Sequence, residues 1–178
     1  NAAIHFSTAF AGLSATAAVT ATATDSAGNT SEFSLDTAVT NVNDSGFGSL
    51  RQALQNAQVV VGATPVIRFA IPLDGKLPAT IAPTSPLPSI LGAILIDGYS
   101  EPGSSPNTLA VGDNAVILVE LNGANVGTGA TGLSVASGIA DVTIRGLAIG
   151  GFSDSGIHVD VASGVSIAGN FIGLGADG

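Results

Sequence analysis

Across the second half of the chain, short runs of Val, Ile, Leu and Ala alternate with polar residues and stop at glycines, and the runs recur in register. Val142-Thr143-Ile144-Arg145-Gly146-Leu147-Ala148-Ile149 and Val165-Ser166-Ile167-Ala168-Gly169-Asn170-Phe171-Ile172 share the pattern V-x-I-x-G-x-x-I at an offset of 23 residues. Gly132-Leu133-Ser134-Val135-Ala136 and Gly156-Ile157-His158-Val159-Asp160 repeat at an offset of 24, and Ile94-Leu95-Ile96-Asp97 and Ile117-Leu118-Val119-Glu120 at 23. Strict alternation over a few residues belongs to a strand with one buried face. A fixed period of roughly 20–30 residues holding such strands marks a solenoid whose coils bury a shared core by stacking. With few helix signals, the expected class is all-β, a parallel β-helix. The alternation places Leu133 and Val135 in the core beneath Ile157 and Val159, and Val142 and Ile144 beneath Val165 and Ile167. Asn170, at a turn inside the repeat, is positioned to bond backbone groups of adjacent coils.

The first half reads differently. Residues 1–36 predict a hairpin: Thr16 to Thr24 alternates Val19, Ala21 and Ala23 with Thr20, Thr22 and Thr24, Asp25 to Asn29 is turn chemistry, and Thr30 to Leu35 returns as a strand. The one convincing helix is 49–57, where Leu50, Ala53, Leu54 and Ala57 form a single apolar stripe. Ser49 and Gln52 have the spacing of a capping box. A helix there would cover the open end of a stacked core, which otherwise shows apolar side chains and unpaired strand edges to water. Val66 to Ile71 reads as a strand ended by Pro72. Pro78, Pro83, Pro86 and Pro88 suit irregular coils, and Gly98 to Pro106 reads as a surface loop. The expected organisation is a strand segment over 1–36 and a β-helix over 37–178, with irregular coils over 64–115 and regular ones over 116–178.

Composition narrows the function. Charged residues are 10% of the 178, against roughly 25% in an ordinary domain. The apolar excess never reaches the roughly 18 uninterrupted residues of a spanning helix, so membrane insertion is not expected. Four basic against thirteen acidic residues give a net charge of -9, which argues against nucleic acid as a partner. The absence of Cys excludes disulfides and thiolate metal sites. The chain starts at Asn1 without a visible signal peptide, as expected of a processed product or a piece of a longer protein.

Several motifs carry a family resemblance. Asn41-Val42-Asn43-Asp44-Ser45-Gly46-Phe47-Gly48-Ser49-Leu50-Arg51-Gln52-Ala53-Leu54 resembles the N-DSGxGSLRxAI motif of large bacterial secreted proteins that are similar to the pectate-lyase-like, right-handed parallel β-helix family. Ile96 to Gly103 resembles their IDGYSQPG segment, and Gly169-Asn170-Phe171-Ile172-Gly173 their recurrent GNxIG turn. Thr22 to Ser34 resembles the TATDxxGNTSEFS ending of a bacterial Ig-like module. The resemblance implies a right-handed β-helix in a secreted or cell-surface protein, and no particular activity.

Candidate chemistry is sparse. His158 and Asp160 form the outward polar pair on a regular strand, with Asp154 in the turn before them and Arg145 outward on another strand. These four are the carbohydrate-facing candidates if the surface meets polysaccharide. A uronan lyase needs a base and cation sites, and a glycosidase needs two carboxyl groups roughly 5–10 Å apart. Neither cluster assembles around His158, so no catalytic residue is assigned. Asp25, Asn29, Asp97, Glu101, Asp113, Asp154 and Asp160 could offer oxygens to calcium, but without EF-hand or nonapeptide spacing, and no cofactor is expected. The resulting expectation is a secreted, non-catalytic structural or adhesive surface protein whose partners are itself, other surface proteins or polysaccharide. Two alternatives stand beside it: a filament subunit assembled by exchange of the N-terminal strands, and a polysaccharide lyase or hydrolase.

Overall fold

The computed structural model describes residues 36–60, 62–72 and 75–177. The hairpin expected over residues 1–35 lies outside them. Eleven short strands and one α-helix follow in order: β1 (Ala38–Val39), α1 (Leu50–Ala57), β2 (Val66–Phe69), β3 (Ala79–Ile81), β4 (Ile94–Asp97), β5 (Val119–Asn122), β6 (Leu133–Val135), β7 (Val142–Arg145), β8 (Ala148–Gly150), β9 (Ile157–Val159), β10 (Ser166–Ala168) and β11 (Phe171–Ile172). They form three sheets, ordered β1-β2-β4-β7-β10, β11-β8-β5-β3 and β6-β9. Every strand pairing in them is parallel. The class is thus parallel β with one short helix. From β2 onward the chain visits the three sheets in a constant order. An isolated parallel bridge from Ile90 to Val135 takes the third-sheet place between β3 and β4.

The register follows the repeats of the last coils. Ile144 lies beside Ile167, Leu133 beside Ile157 and Val135 beside Val159. Val142, Ile144, Leu133 and Val135 are buried with Val39, Ile67, Phe69, Ile96, Leu121 and Ile149 in one core. Their register partners Val159 and Ile167, also expected in it, are instead 38% and 40% exposed, because β9 and β10 are the outermost described strands of their sheets. The third repeat does not pair as expected. Ile94–Asp97 lies in the first sheet beside Val142–Arg145, and Val119–Asn122 lies in the second sheet beside β3 and β8. The long connections after Ser100 and Asn122 push the true partner of β4 to 48 residues downstream, since Ile94 faces Val142.

The helix forms where its stripe predicts. Leu50, Ala53, Leu54 and Ala57 are buried, and α1 lies against β1 and β2. Ser49 Oγ accepts the Gln52 N–H at 3.2 Å. The reciprocal half of the capping box is absent, because Gln52 Nε2 donates to Asn56 Oδ1 and Ser49 N donates to Gly46 O. Arg51 ties the preceding loop to the proline segment. It donates from Nε to Asp44 O at 3.0 Å, from Nη2 to Asp44 Oδ1 at 2.6 Å and Ser85 O at 2.9 Å, and from Nη1 to Pro86 O at 2.6 Å. Thr84 Oγ1 adds a bond to Asp44 Oδ2. The DSGxGSLR motif is therefore a built joint. Among the described residues no helix is long and apolar enough to cross a membrane.

Gly98 to Pro106 is only partly the surface loop expected from composition. Gly98–Ser100 forms a 3-10 turn, and Gly98 and Glu101 are buried. The cause is non-local. At the end of β2 and just past it the backbone donors need acceptors, and side chains supply them. Ser100 Oγ accepts Phe69 N–H at 2.7 Å, and Glu101 Oε2 accepts Ile71 N–H at 2.9 Å. Gly98 must be glycine, because a Cβ there would lie 2.0 Å from Gly146 O.

Candidate functional site

The expected carbohydrate-facing residues do not converge. His158 is exposed on β9, beside Ser134 of β6. Asp160 is exposed just past that strand, with Oδ1 accepting Val161 N–H at 2.8 Å. Asp154 Oδ2 accepts from Thr131 Oγ1 at 3.0 Å and from Ser155 Oγ at 3.3 Å. These three belong to the third sheet and its flanking turn. Arg145 belongs to β7 of the first sheet.

Arg145 instead meets Asp97. Register places the two side by side, and the guanidinium grips the carboxylate in a fork, Nε to Oδ1 at 2.9 Å and Nη2 to Oδ2 at 2.8 Å. The side chains are 46% and 8% exposed, so the acid is buried and the base open to solvent. Asp97 raises the Arg145 pKa further above its already high value. Sequence reasoning weighed Asp97 only as a calcium oxygen. A signal was present all the same: Ile96-Asp97-Gly98, Ile144-Arg145-Gly146 and Ile167-Ala168-Gly169 share I-x-G, and their middle residues are neighbours on β4, β7 and β10.

Tyr99 follows Asp97 and Gly98 and lies along the glycines of that motif. Its hydroxyl donates to Gly169 O at 2.7 Å, and a Cβ on Gly146 would come within 2.8 Å of its ring. Burial raises its phenol pKa, with the negative charges of Asp113 and Asp97 adding to the shift and Arg145 opposing it.

Asp97, Tyr99, Pro106, Asn107, Thr143, Arg145, Ser166, Ala168 and Gly169 line a groove of about 550 Å³. A second hollow of about 540 Å³ is lined, among the described residues, by Thr40, Asn41, Val42, Ile71, Pro72, Lys76, Pro78, Ala79 and Thr80. The groove is the better candidate site, because it gathers the Asp97–Arg145 pair, the Tyr99 phenol and the Thr143 and Ser166 hydroxyls, and convergent polar groups fix a ligand's orientation. Asn107 ties its own loop together: Oδ1 accepts Leu109 N–H and Asn114 N–H, while Nδ2 donates to Gly112 O at 3.1 Å. Thr143 stands beside Ser166 on the floor. Asp97, the acid of this lining, is committed to Arg145. The arrangement is equipped to hold a ligand by hydrogen bonds.

Of the remaining oxygens considered for calcium, Asp25 and Asn29 lie outside the described residues, and the other two have local partners. Asp113 Oδ1 accepts Ala115 N–H at 2.7 Å, and Glu101 is buried on Ile71 N–H. Burial raises the Glu101 pKa, which the Ile71 bond only partly offsets. Among the described residues no three His, Cys, Asp or Glu gather as a metal-ligand group. No protein-family model, curated protein or solved structure matches the chain.

Proposed function

We propose that this chain is a non-catalytic structural or adhesive element of an extracellular surface, built as a right-handed parallel β-helix. The constant order in which the chain visits three parallel sheets supports the helix. Its hand follows from the strong right-handed preference of crossovers between parallel strands. The extracellular setting rests on the resemblance of residues 41–54, 96–103 and 169–173 to secreted β-helix proteins and on the acidic, Lys-poor composition.

The observation that carries the non-catalytic reading is how the strand-end polar groups are employed. Asp97 and Arg145 hold each other across β4 and β7. Asn170 accepts Leu147 N–H at 3.1 Å and donates to Ile144 O at 2.8 Å. Ser100 and Glu101 satisfy the donors of Phe69 at the end of β2 and of Ile71 past it. Each group completes the stack, whereas an acid–base catalyst needs a positioned group within reach of a substrate proton. His158 and Asp160 stand on a different sheet from Arg145.

The test is incubation with pectate, alginate and neutral glucans, with and without calcium, followed by assay of unsaturated and reducing ends. No release above buffer is expected. Release that disappears in His158→Ala or Asp160→Ala would overturn the reading.

A further inference from the structure

We propose that the groove between Tyr99, the Pro106–Asn107 wall and the outward faces of β7 and β10 binds a neutral oligosaccharide. The inference rests on the adhesive side of the reading above and gives it a site and a ligand class. This site lies on the first sheet, away from His158, Asp160 and Asp154, and only Arg145 of the four expected residues belongs to it.

The lining matches the two chemical faces of a sugar. A sugar ring offers a C–H face and a rim of hydroxyls that both donate and accept. Tyr99 supplies the apolar surface: its ring rests on the glycine backbones of Gly146 and Gly169, is fixed there by the hydroxyl bond to Gly169 O, and presents its remaining surface to the groove. Pro106 extends the apolar wall. The floor supplies the polar partners. Thr143 and Ser166 lie side by side, and each hydroxyl can donate and accept. Arg145 commits Nε and Nη2 to Asp97, which leaves Nη1 to donate into the groove. The volume of about 550 Å³ falls within the range of small-ligand sites.

Charge selects a neutral ligand over an acidic one. Asp97 cancels Arg145 within the groove, and Asp113 lies near enough to Tyr99 to raise its pKa. A uronate carboxylate would enter a site already balanced, on a chain of net charge -9. A peptide is disfavoured for a different reason. Strand addition uses a free backbone edge, which at this end of the first sheet is the outer edge of β10. The groove floor is instead the outward side chains of β7 and β10, with β7 paired on both sides.

Isothermal titration of the intact chain with cellohexaose, maltohexaose, xylohexaose and mannohexaose tests the proposal. Hexagalacturonate serves as the acidic arm and an extended hexapeptide as the peptide arm. At least one neutral hexamer is expected to saturate a single site. Binding should weaken about tenfold or more in the double variant Thr143→Val/Ser166→Ala, through loss of two neutral hydrogen bonds, while its melting temperature stays that of the parent. Absence of binding by all four neutral hexamers, binding by the uronate or the peptide alone, or undiminished neutral binding in the double variant would each overturn the proposal. The non-catalytic reading fails separately, on release of sugar ends, so the two cannot be confused.

Discussion

Asn170 gives the sharpest perturbation, because one side chain serves two backbone groups of the coil beneath it. Its Oδ1 accepts Leu147 N–H at 3.1 Å and its Nδ2 donates to Ile144 O at 2.8 Å, with a longer bond to Ala168 O at 3.3 Å. Ile144 and Leu147 are buried. Asn170→Ala leaves a donor and an acceptor without these partners. At about 1–3 kcal/mol for each unsatisfied group, and with Asn170 itself partly open to water, a loss of about 2–4 kcal/mol is expected. Asn170→Asp keeps an acceptor for Leu147 N–H but turns a carboxylate oxygen toward Ile144 O. Protonation restores a donor, so the folded state should raise the pKa of that carboxyl. The defect is then smallest at acid pH, and it grows as pH rises through the folded-state value. Urea unfolding followed by far-ultraviolet circular dichroism, at several pH values, reads both effects. A change below about 0.5 kcal/mol in Asn170→Ala, within the usual range for a surface substitution, would refute the structural role of this side chain.

Further outcomes follow from the same geometry. Ile144→Ala should cost about 2–5 kcal/mol and Ile167→Ala clearly less, since Ile144 is 0% and Ile167 40% exposed; chemical denaturation compares them. Ile144→Asp should abolish folding outright by placing a charge in the core, seen as loss of the β spectrum. Arg51→Lys should lower the melting temperature, because one ammonium cannot span Asp44, Ser85 and Pro86 as the guanidinium does. Arg51, and then Thr84, hold the Asp44 carboxyl below its ordinary pKa. The joint's stability is thus present above about pH 4 and lost as pH falls through the lower folded-state value, and Asp44→Asn should flatten that limb. Glu101 has the opposite sign: its raised pKa means stability is lost as pH rises through the folded-state value. Glu101→Gln, which keeps an acceptor for Ile71 N–H, should therefore be more stable than the parent at neutral pH, by thermal melts across pH.

The parts of this fold readable in the sequence are those set by local alternation. Val142 to Ile149 and Val165 to Ile172 pair as their repeat predicts because nothing is inserted between consecutive coils there. The apolar stripe of α1 predicts the helix for the same reason. Where long connections intervene, the offset misleads: Ile94 and Ile117 share a spacing but not a sheet, and the partner of β4 is β7. Glu101 reads as a loop acid because Pro, Gly and Ser surround it. Its burial arises from the donor of Ile71, thirty residues away. The Asp97–Arg145 pair was hidden because its partners lie 48 residues apart, and only the shared I-x-G frame links them. His158 and Asp160 are exposed, and so is Val159 between them, because β9 is the outermost described strand of its sheet. Alternation fixes a side chain's face, not which faces meet, so Arg145 could not be separated from them without the sheet order.

The central claim is that successive strands stack in parallel and in register within each sheet, which sets Arg145 apart from His158. The chain has no cysteine, so paired cysteines can be introduced cleanly and joined with a short bis-methanethiosulfonate linker. Thr143→Cys/Ser166→Cys and Ser134→Cys/His158→Cys are register partners within the first and third sheets. Ser134→Cys/Ser166→Cys places one thiol on each of those two sheets. The account predicts rapid intramolecular linkage for the first two pairs and none for the third, read as linker mass on the intact chain and in digests. Linkage of the third pair, or failure of both register pairs in folded protein, would contradict it.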